Sequence, residues 1–278
     1  GGRPLRLSVL SSGSSGNATY VECGGEGVLV DAGLSCRRLR ALLALLGRTI
    51  DGVRAVLLTH GHADHTAGVA SLVRECGDGL RIIAAPGVGG GPRAEAVPAG
   101  VPFRVGAFEA TFFSVPHDAA TYGLRLRAGG LCAALATDLG EVGEETLGWM
   151  RGAGAVVLEA NHDPEWLRRG PYPARLKRRI SSASGHLSNA QAAEAALALA
   201  PYGLRHLVLA HLSETNNSPA RACGTVGSRL RAAGYGGVRV LASLPGRPTP
   251  WVEVEAPAGV SSCGYESRPW AGRLFGVE

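Results

Sequence analysis

The stretch Leu57-Leu58-Thr59-His60-Gly61-His62-Ala63-Asp64-His65-Thr66 constrains this chain more than any other. Val56, Leu57 and Leu58 form an apolar run short enough for a buried strand, and three histidines and a carboxylate begin where that strand leaves its sheet. Imidazoles two apart on an extended segment point to the same side, so His60 and His62 can hold one ion while Asp64 and His65 face a second. The competing reading is a polar turn without a metal. Four ligand-type side chains packed directly behind an apolar strand weigh against it.

The 278 residues, 45% of them hydrophobic, suffice for a sizeable core in one large domain or two small ones. We expect one folded domain over residues 1–255 and a poorly ordered tail over 256–278, where Pro, Gly and Ser dominate. Cys23, Cys36, Cys76, Cys132, Cys223 and Cys263 show no CxxC pairing, and a chain of this length does not need disulfides, so they read as reduced thiols. No apolar run nears the roughly 18 residues that would span a bilayer, and no signal core follows a basic start. The expectation is a cytoplasmic protein without membrane or obligate protein partners. The start lacks Met, which leaves a trimmed targeting peptide open.

The net charge of +5 is a mild lean toward anionic partners, and its distribution says more. Between Trp166 and Ala193 no acidic residue occurs, yet Arg168, Arg169, Arg175, Lys177, Arg178 and Arg179 all do. This is either a solvated face of an arginine-rich protein or a phosphate-binding surface.

Along the chain, ionisable residues recur where strands finish. Residues 5–10 and 19–21 read as strands around the small-residue loop 11–17, which would serve a ligand approach or a tight hairpin equally well. Residues 28–31 end in Asp31-Ala32-Gly33, and leucines at 39, 42, 43, 45 and 46 mark a helix over 37–46. A helix over 66–76, a strand over 80–85 and a loose loop over 86–100 follow. A strand over 111–115 delivers His117, a hairpin turns at Gly129-Gly130 and ends at Asp138, residues 155–158 lead to Glu159, and 207–210 lead to His211. Residues 190–200 form an alanine-rich helix with Ser188 or Asn189 as its cap. Late edge strands fall near 238–241 and 251–254. His206, on an apolar strand, reads as a core histidine. Two halves of strands followed by helices fit an αββα sandwich of two mixed β-sheets flanked by helices, an α/β fold that gathers the strand-end ligands at one edge.

Those ligands suffice for two divalent ions. His60, His62 and His117 would hold the first, Asp64, His65 and His211 the second, with Asp138 between them to offset the repulsion of two dications. The same field brings a bridging water toward ionisation at neutral pH and yields a hydroxide nucleophile. His and Asp ligands suit Zn²⁺ or Mn²⁺.

His60-Gly61-His62-Ala63-Asp64-His65, with His117, Asp138 and His211 downstream, resembles the signature of the metallo-β-lactamase fold superfamily. Within it, residues 11–17, Asp31-Ala32-Gly33-Leu34-Ser35, Glu159-Ala160-Asn161-His162-Asp163, Gly170-Pro171-Tyr172-Pro173, Gly185-His186-Leu187-Ser188-Asn189, His211-Leu212-Ser213 and Asn216-Asn217 resemble the YycJ/WalJ-like exonuclease branch. The resemblance implies a dinuclear metal-dependent phosphodiesterase, a 5′-end exonuclease acting on DNA rather than RNA. Asp64 is then catalytic as well as ligating. Glu159-Ala160 and Gly185-His186 also resemble motifs of tRNA 3′-processing nucleases, which makes Glu159 and His186 a proton-delivery pair for the leaving oxygen. Ser188, Asn189, Arg175, Lys177 and Arg178 are expected to contact substrate.

Asp138 stands where β-lactam hydrolases of this fold would present a cysteine, and His62 where oxygen-reducing relatives carry a carboxylate, so neither activity is expected. A thioester or lactone hydrolase, an RNA-processing nuclease and a non-catalytic scaffold are the remaining alternatives.

Overall fold

The computed structural model describes residues 4–256, so the expected tail lies, Ala256 aside, outside the described residues. One seven-stranded sheet runs β14-β1-β2-β3-β4-β5-β6, built from β1 (Leu5–Ser11), β2 (Ala18–Cys23), β3 (Glu26–Val30), β4 (Val53–Leu58), β5 (Arg81–Ala84), β6 (Ala94–Ala96) and β14 (Val252–Glu253). The other runs β13-β12-β11-β10-β9-β8-β7, from β7 (Phe103–Val105), β8 (Phe108–Ser114), β9 (Tyr122–Ala128), β10 (Leu131–Ala136), β11 (Ala155–Glu159), β12 (His206–Ala210) and β13 (Arg239–Ala242). Both sheets follow one plan: antiparallel neighbours through the fourth strand, then parallel ones to the edge.

The parallel strands are apolar along their whole length because both of their faces are covered. On β11, Ala155 and Val157 join the core between the sheets, while Val156 and Leu158 join the core under the helices; Val208 and Ala210 against Leu207 and Leu209 repeat the split on β12. α1 (Cys36–Leu45) and α3 (Val69–Cys76) cover the first sheet through Leu39, Leu43 and Leu72. α4 (Glu144–Met150), α7 (Asn189–Leu199) and α8 (Pro219–Ala232) cover the second through Met150, Ala192, Ala196, Val226 and Leu230. The result is the αββα sandwich expected from the strand and helix order.

Two local expectations need correcting. The 86–100 segment is not a structureless loop, since β6 lies within it and extends the first sheet beside β5. The helix over 66–76 is interrupted: α2 (Ala63–Thr66) stops and α3 begins at Val69. Tertiary bonds cause the break. The carbonyls of Asp64 and His65 accept from Asn17 N (2.7 Å) and Ala32 N (2.8 Å), and Gly68 N donates to the Ala32 carbonyl (2.7 Å). These backbones approach so closely that a Cβ at Gly33 would lie 1.7 Å from the Asp64 carbonyl oxygen, and one at Gly68 would lie 1.8 Å from that of Leu34. Glycine is the residue that permits the approach.

The carboxyl ends of the parallel strands open on one edge, where α/β sheets place their ligands. Asp31 follows β3, Thr59 and His60 follow β4, Asp138 follows β10, Glu159 ends β11 and His211 follows β12. Asp31, Asp138 and His211 have φ of 62°, 56° and 55°, and among the described residues they are the only non-glycines at positive φ. Such backbone costs on the order of 1–3 kcal/mol per residue and collects at functional sites.

Candidate metal centre

β4 ends at Leu58; the chain passes through His60, paired as an isolated bridge with Thr121, and enters α2 at His62. His60 and His65 are wholly buried, and their rings lie 4.0 Å apart between centroids. The structure brings together all seven expected ligands. His60, His62 and His117 form one group of donor atoms within 4.8 Å of one another, and Asp64, His65 and His211 form a second. Asp138 joins both sides, grouping with His60 and His65 and also with Glu159, His186 and His211.

The hydrogen bonds behind the histidines determine which nitrogen faces inward. His65 Nδ1 is 2.7 Å from Asp31 Oδ2, His211 Nδ1 is 2.9 Å from Glu159 Oε1, and His117 Nδ1 is 3.1 Å from the Gly185 carbonyl. A carboxylate or carbonyl oxygen only accepts, so each Nδ1 carries the proton and each Nε2 offers a lone pair, the arrangement of metal-binding histidines. These bare nitrogens face more acceptors: His65 Nε2 lies 3.2 Å from Asp138 Oδ2 and 3.4 Å from Asp64 Oδ2, and His211 Nε2 lies 3.7 Å from Asp64 Oδ2. His60 Nε2 and Asp138 Oδ2 are buried and engage in no hydrogen bond. Lone pairs converging at these distances need protons or a metal ion among them, and the mixed N and O donors suit a divalent ion.

Electrostatics points the same way. Burial, with His65 beside it, pushes His60 down to about 4, so it is neutral at pH 7. Burial also lowers His211, but Asp138, Asp64 and Glu159 overcome it and raise the group to about 10. His65 is likewise raised against its burial, by Asp31 and Asp138, and Asp138 is held well below the carboxylate range, against burial, by His211 and His65. The extra protons on His65 and His211 are those a bound cation would displace.

Several supporting residues were not expected as site residues, although residues 11–17, Asp31 and Asn161 lie in the stretches that carry the family resemblance. Asp31 accepts from Thr59 N and Thr59 Oγ1 (both 2.8 Å) and thereby locks the turn before His60. Asn17 places its Nδ2 3.1 Å from Asp64 Oδ2 and 2.9 Å from His65 Nε2, so the 11–17 loop supports the metal residues. Ser12 Oγ accepts from His211 N at 2.7 Å, and Asn161 Nδ2 donates to the His211 carbonyl at 2.8 Å. Asp118 sits 3.2 Å from His117 Nε2.

Glu159 is fully buried. Its Oε2 accepts from Leu139 N (3.0 Å) and Leu187 N (3.3 Å), and its Oε1 serves both His186 Nδ1 (2.8 Å) and His211 Nδ1. Burial works to raise this carboxyl, but His186 and His211 keep it low. His186 is partly exposed, with its Nδ1 3.9 Å from Asp138 Oδ1, and Glu159 raises it above the ordinary histidine range against its burial.

The expected substrate contacts fare unequally. Ser188 and Asn189 are corrected: Ser188 Oγ forms a capping box with Gln191, and the wholly buried Asn189 exchanges amide hydrogen bonds with Asn217 (2.9 and 2.8 Å). Both are taken up by helix capping and core packing, Ser188 being 6% and Asn189 0% exposed. The basic stretch lies on α5 (Pro164–Arg169) and α6 (Ala174–Ile180), where Arg175 and Arg178 are exposed and Lys177 Nζ donates to the Arg168 carbonyl (2.8 Å). Arg168 and Arg169 pair with Glu165, whereas Arg179 reaches Asp118. His206 is buried, with Nε2 3.2 Å from Glu255 Oε1.

Residues 27–212 match the family described as a beta-lactamase superfamily domain. Exodeoxyribonuclease WalJ of Streptococcus pneumoniae is 35% identical over 264 residues, covering 90% of this chain and 98% of that protein. Exodeoxyribonuclease YycJ of Bacillus anthracis is 37% identical over 245 residues, covering 84% and 91%. Among solved structures, the metallo-beta-lactamase fold protein YhfI from Bacillus subtilis superposes with a TM-score of 0.66 at 18% identity, over 89% of this chain and 99% of that one.

Proposed function

The chain belongs to the beta-lactamase superfamily domain family, on the branch of its WalJ and YycJ relatives, and from that premise we propose that it is a metal-dependent nuclease that removes nucleotides from the 5′ end of DNA. The observation that carries the reading is the pairing of His186 with buried Glu159 beside Asp138, which sets a proton donor against a dication site. His60, His62 and His117 would hold one divalent ion and Asp64, His65 and His211 the other, with Asp138 between them. Bound there, Zn²⁺ or Mn²⁺ would polarise the phosphodiester and activate water at neutral pH.

The chain's own residues do the rest. Asp31, Glu159 and Gly185 hold the ligand histidines in the tautomer that turns Nε2 inward. Asp64 and Asp138 carry the negative charge that keeps two dications together. His186, whose hold on a proton Glu159 strengthens, delivers its Nε2 proton to the departing oxygen. Arg175 and Arg178 are exposed on α6, with the half-buried Lys177 between them, and these cations would meet the phosphates of the strand.

The test is cleavage of 5′- and 3′-labelled single- and double-stranded DNA and RNA in Zn²⁺ and in Mn²⁺, with His186→Asn alongside. Mononucleotide release from 5′ ends, lowered in the variant most strongly for substrates with a poor leaving group, is expected. Cleavage of a thioester with no action on any oligonucleotide would replace this reading. Among the described residues no helix is long and apolar enough to cross a membrane.

A further inference from the structure

The basic helix α6 touches the metal centre through Arg179. Its guanidinium donates to Asp118 Oδ2, and the other oxygen of that carboxylate lies 3.2 Å from His117 Nε2 and 3.9 Å from His62 Nε2. His117 Nδ1 is engaged with the Gly185 carbonyl, so the nitrogen facing Asp118 is the bare one. A lone-pair nitrogen and a carboxylate oxygen repel at such a separation unless a proton or a metal ion lies between them, and a divalent ion held by His60, His62 and His117 would serve both. Asp118 therefore turns one oxygen to the first ion's position and the other to a guanidinium.

Two oxygens on one central atom, one for a cation and one for an arginine fork, is also what the non-bridging oxygens of a phosphodiester offer. Asp118 differs from the other carboxylates here in being exchangeable. Its side chain is 32% exposed and that of Arg179 66%, against 3% for Asp138. Exchange of one anion for another leaves neither the arginine nor the ion uncompensated. No acidic group of the centre pairs with Arg175, Lys177 or Arg178.

We propose that Asp118 is an internal stand-in for the scissile phosphate, and that Arg179 is the clamp that takes the phosphate when it displaces Asp118. The idea rests on the nuclease reading but concerns anion exchange, which can be measured without turnover. The probe is inorganic phosphate, titrated calorimetrically into metal-loaded wild type, Asp118→Asn, Arg179→Ala and Arg74→Ala, the last altering an exposed arginine of α3.

Weakening the internal competitor should tighten phosphate binding in Asp118→Asn roughly fivefold to tenfold. Removing the clamp should weaken it about tenfold or more in Arg179→Ala, and Arg74→Ala should stay within twofold. Metal stoichiometry should be the same in all four. Loss of one metal equivalent in Asp118→Asn would make Asp118 a resident ligand and overturn the proposal, as would weaker phosphate binding in that variant. Equal phosphate affinity in Arg179→Ala and Arg74→Ala would also overturn it. Should wild type leave every oligonucleotide intact while the phosphate affinities keep the expected order, the exchange stands and the nuclease reading falls.

Discussion

Replacing Glu159 by Gln removes one charge and no volume, and the structure specifies what must follow. The carboxylate accepts four hydrogen bonds: two backbone N–H groups on Oε2 and two histidine Nδ1 on Oε1. A carboxamide keeps one acceptor end. If its oxygen faces Leu139 N and Leu187 N, its NH₂ confronts His186 Nδ1–H and His211 Nδ1–H. Leaving two buried donors opposed would cost about 2–6 kcal/mol at about 1–3 kcal/mol each. The histidines can avoid that penalty by moving their protons to Nε2, which lets each Nδ1 accept from the amide. His211 then turns an N–H toward the second ion's position, and His186 loses the carboxylate that strengthens its hold on a proton. The damage thus passes from stability to metal binding and chemistry. Loss of such an orienting partner weakens metal affinity roughly 10- to 100-fold, or about 1.4–2.8 kcal/mol. A comparable wrong-tautomer exchange at another histidine site lowers turnover about 10⁴-fold. Chelator competition should therefore show one weakened metal site of two, with hydrolysis of an aryl phosphodiester depressed by two to four orders of magnitude and a melting temperature little changed in excess metal. Wild-type affinity at both sites with turnover within twofold would refute the tautomer argument.

Other perturbations test the supporting structure. Asp31→Asn keeps a residue that tolerates φ 62° but presents His65 Nδ1 with an amide, so metal retained after dialysis should fall about 10- to 100-fold in affinity at one site. Gly33→Ala places a methyl against the Asp64 carbonyl, which must shift α2; melting temperature and metal content should drop together, whereas Gly47→Ala, where a Cβ meets nothing, should retain full metal content. Glu22 is buried between Arg6 and Arg48, and although burial works to raise its carboxyl, the two arginines hold it below the usual range. Its contribution to stability is complete above the unfolded carboxyl value and fades as pH falls through the lower folded one. Glu22→Gln should therefore destabilise the protein by about 1–3 kcal/mol at pH 7, the partly exposed arginines moderating the loss, with the difference from wild type shrinking in acid; a pH-independent difference in thermal unfolding would contradict it.

What the sequence by itself determined was the chemistry that is local in the chain. His60, His62, Asp64 and His65 stand within one six-residue stretch behind an apolar strand, so their meeting needs no knowledge of the fold. His117, Asp138, Glu159 and His211 were legible because each follows an apolar strand, and strands that share a sheet direction end at a common edge. The sandwich itself followed from the order of elements, strands and then helices in each half. Tertiary structure decided the relations between residues distant in the chain. Asp31 meets His65 across 34 positions and Asn17 meets Asp64 across 47, contacts set by the register of β3 on β4 and by glycines that let backbones touch. It also decided among candidates that look alike in sequence. Asn189 is in the core and Asp118 beside the ligands; Arg179 reaches the centre while Arg178 faces solvent, because a side chain's role depends on which face of its helix or turn the packing leaves open.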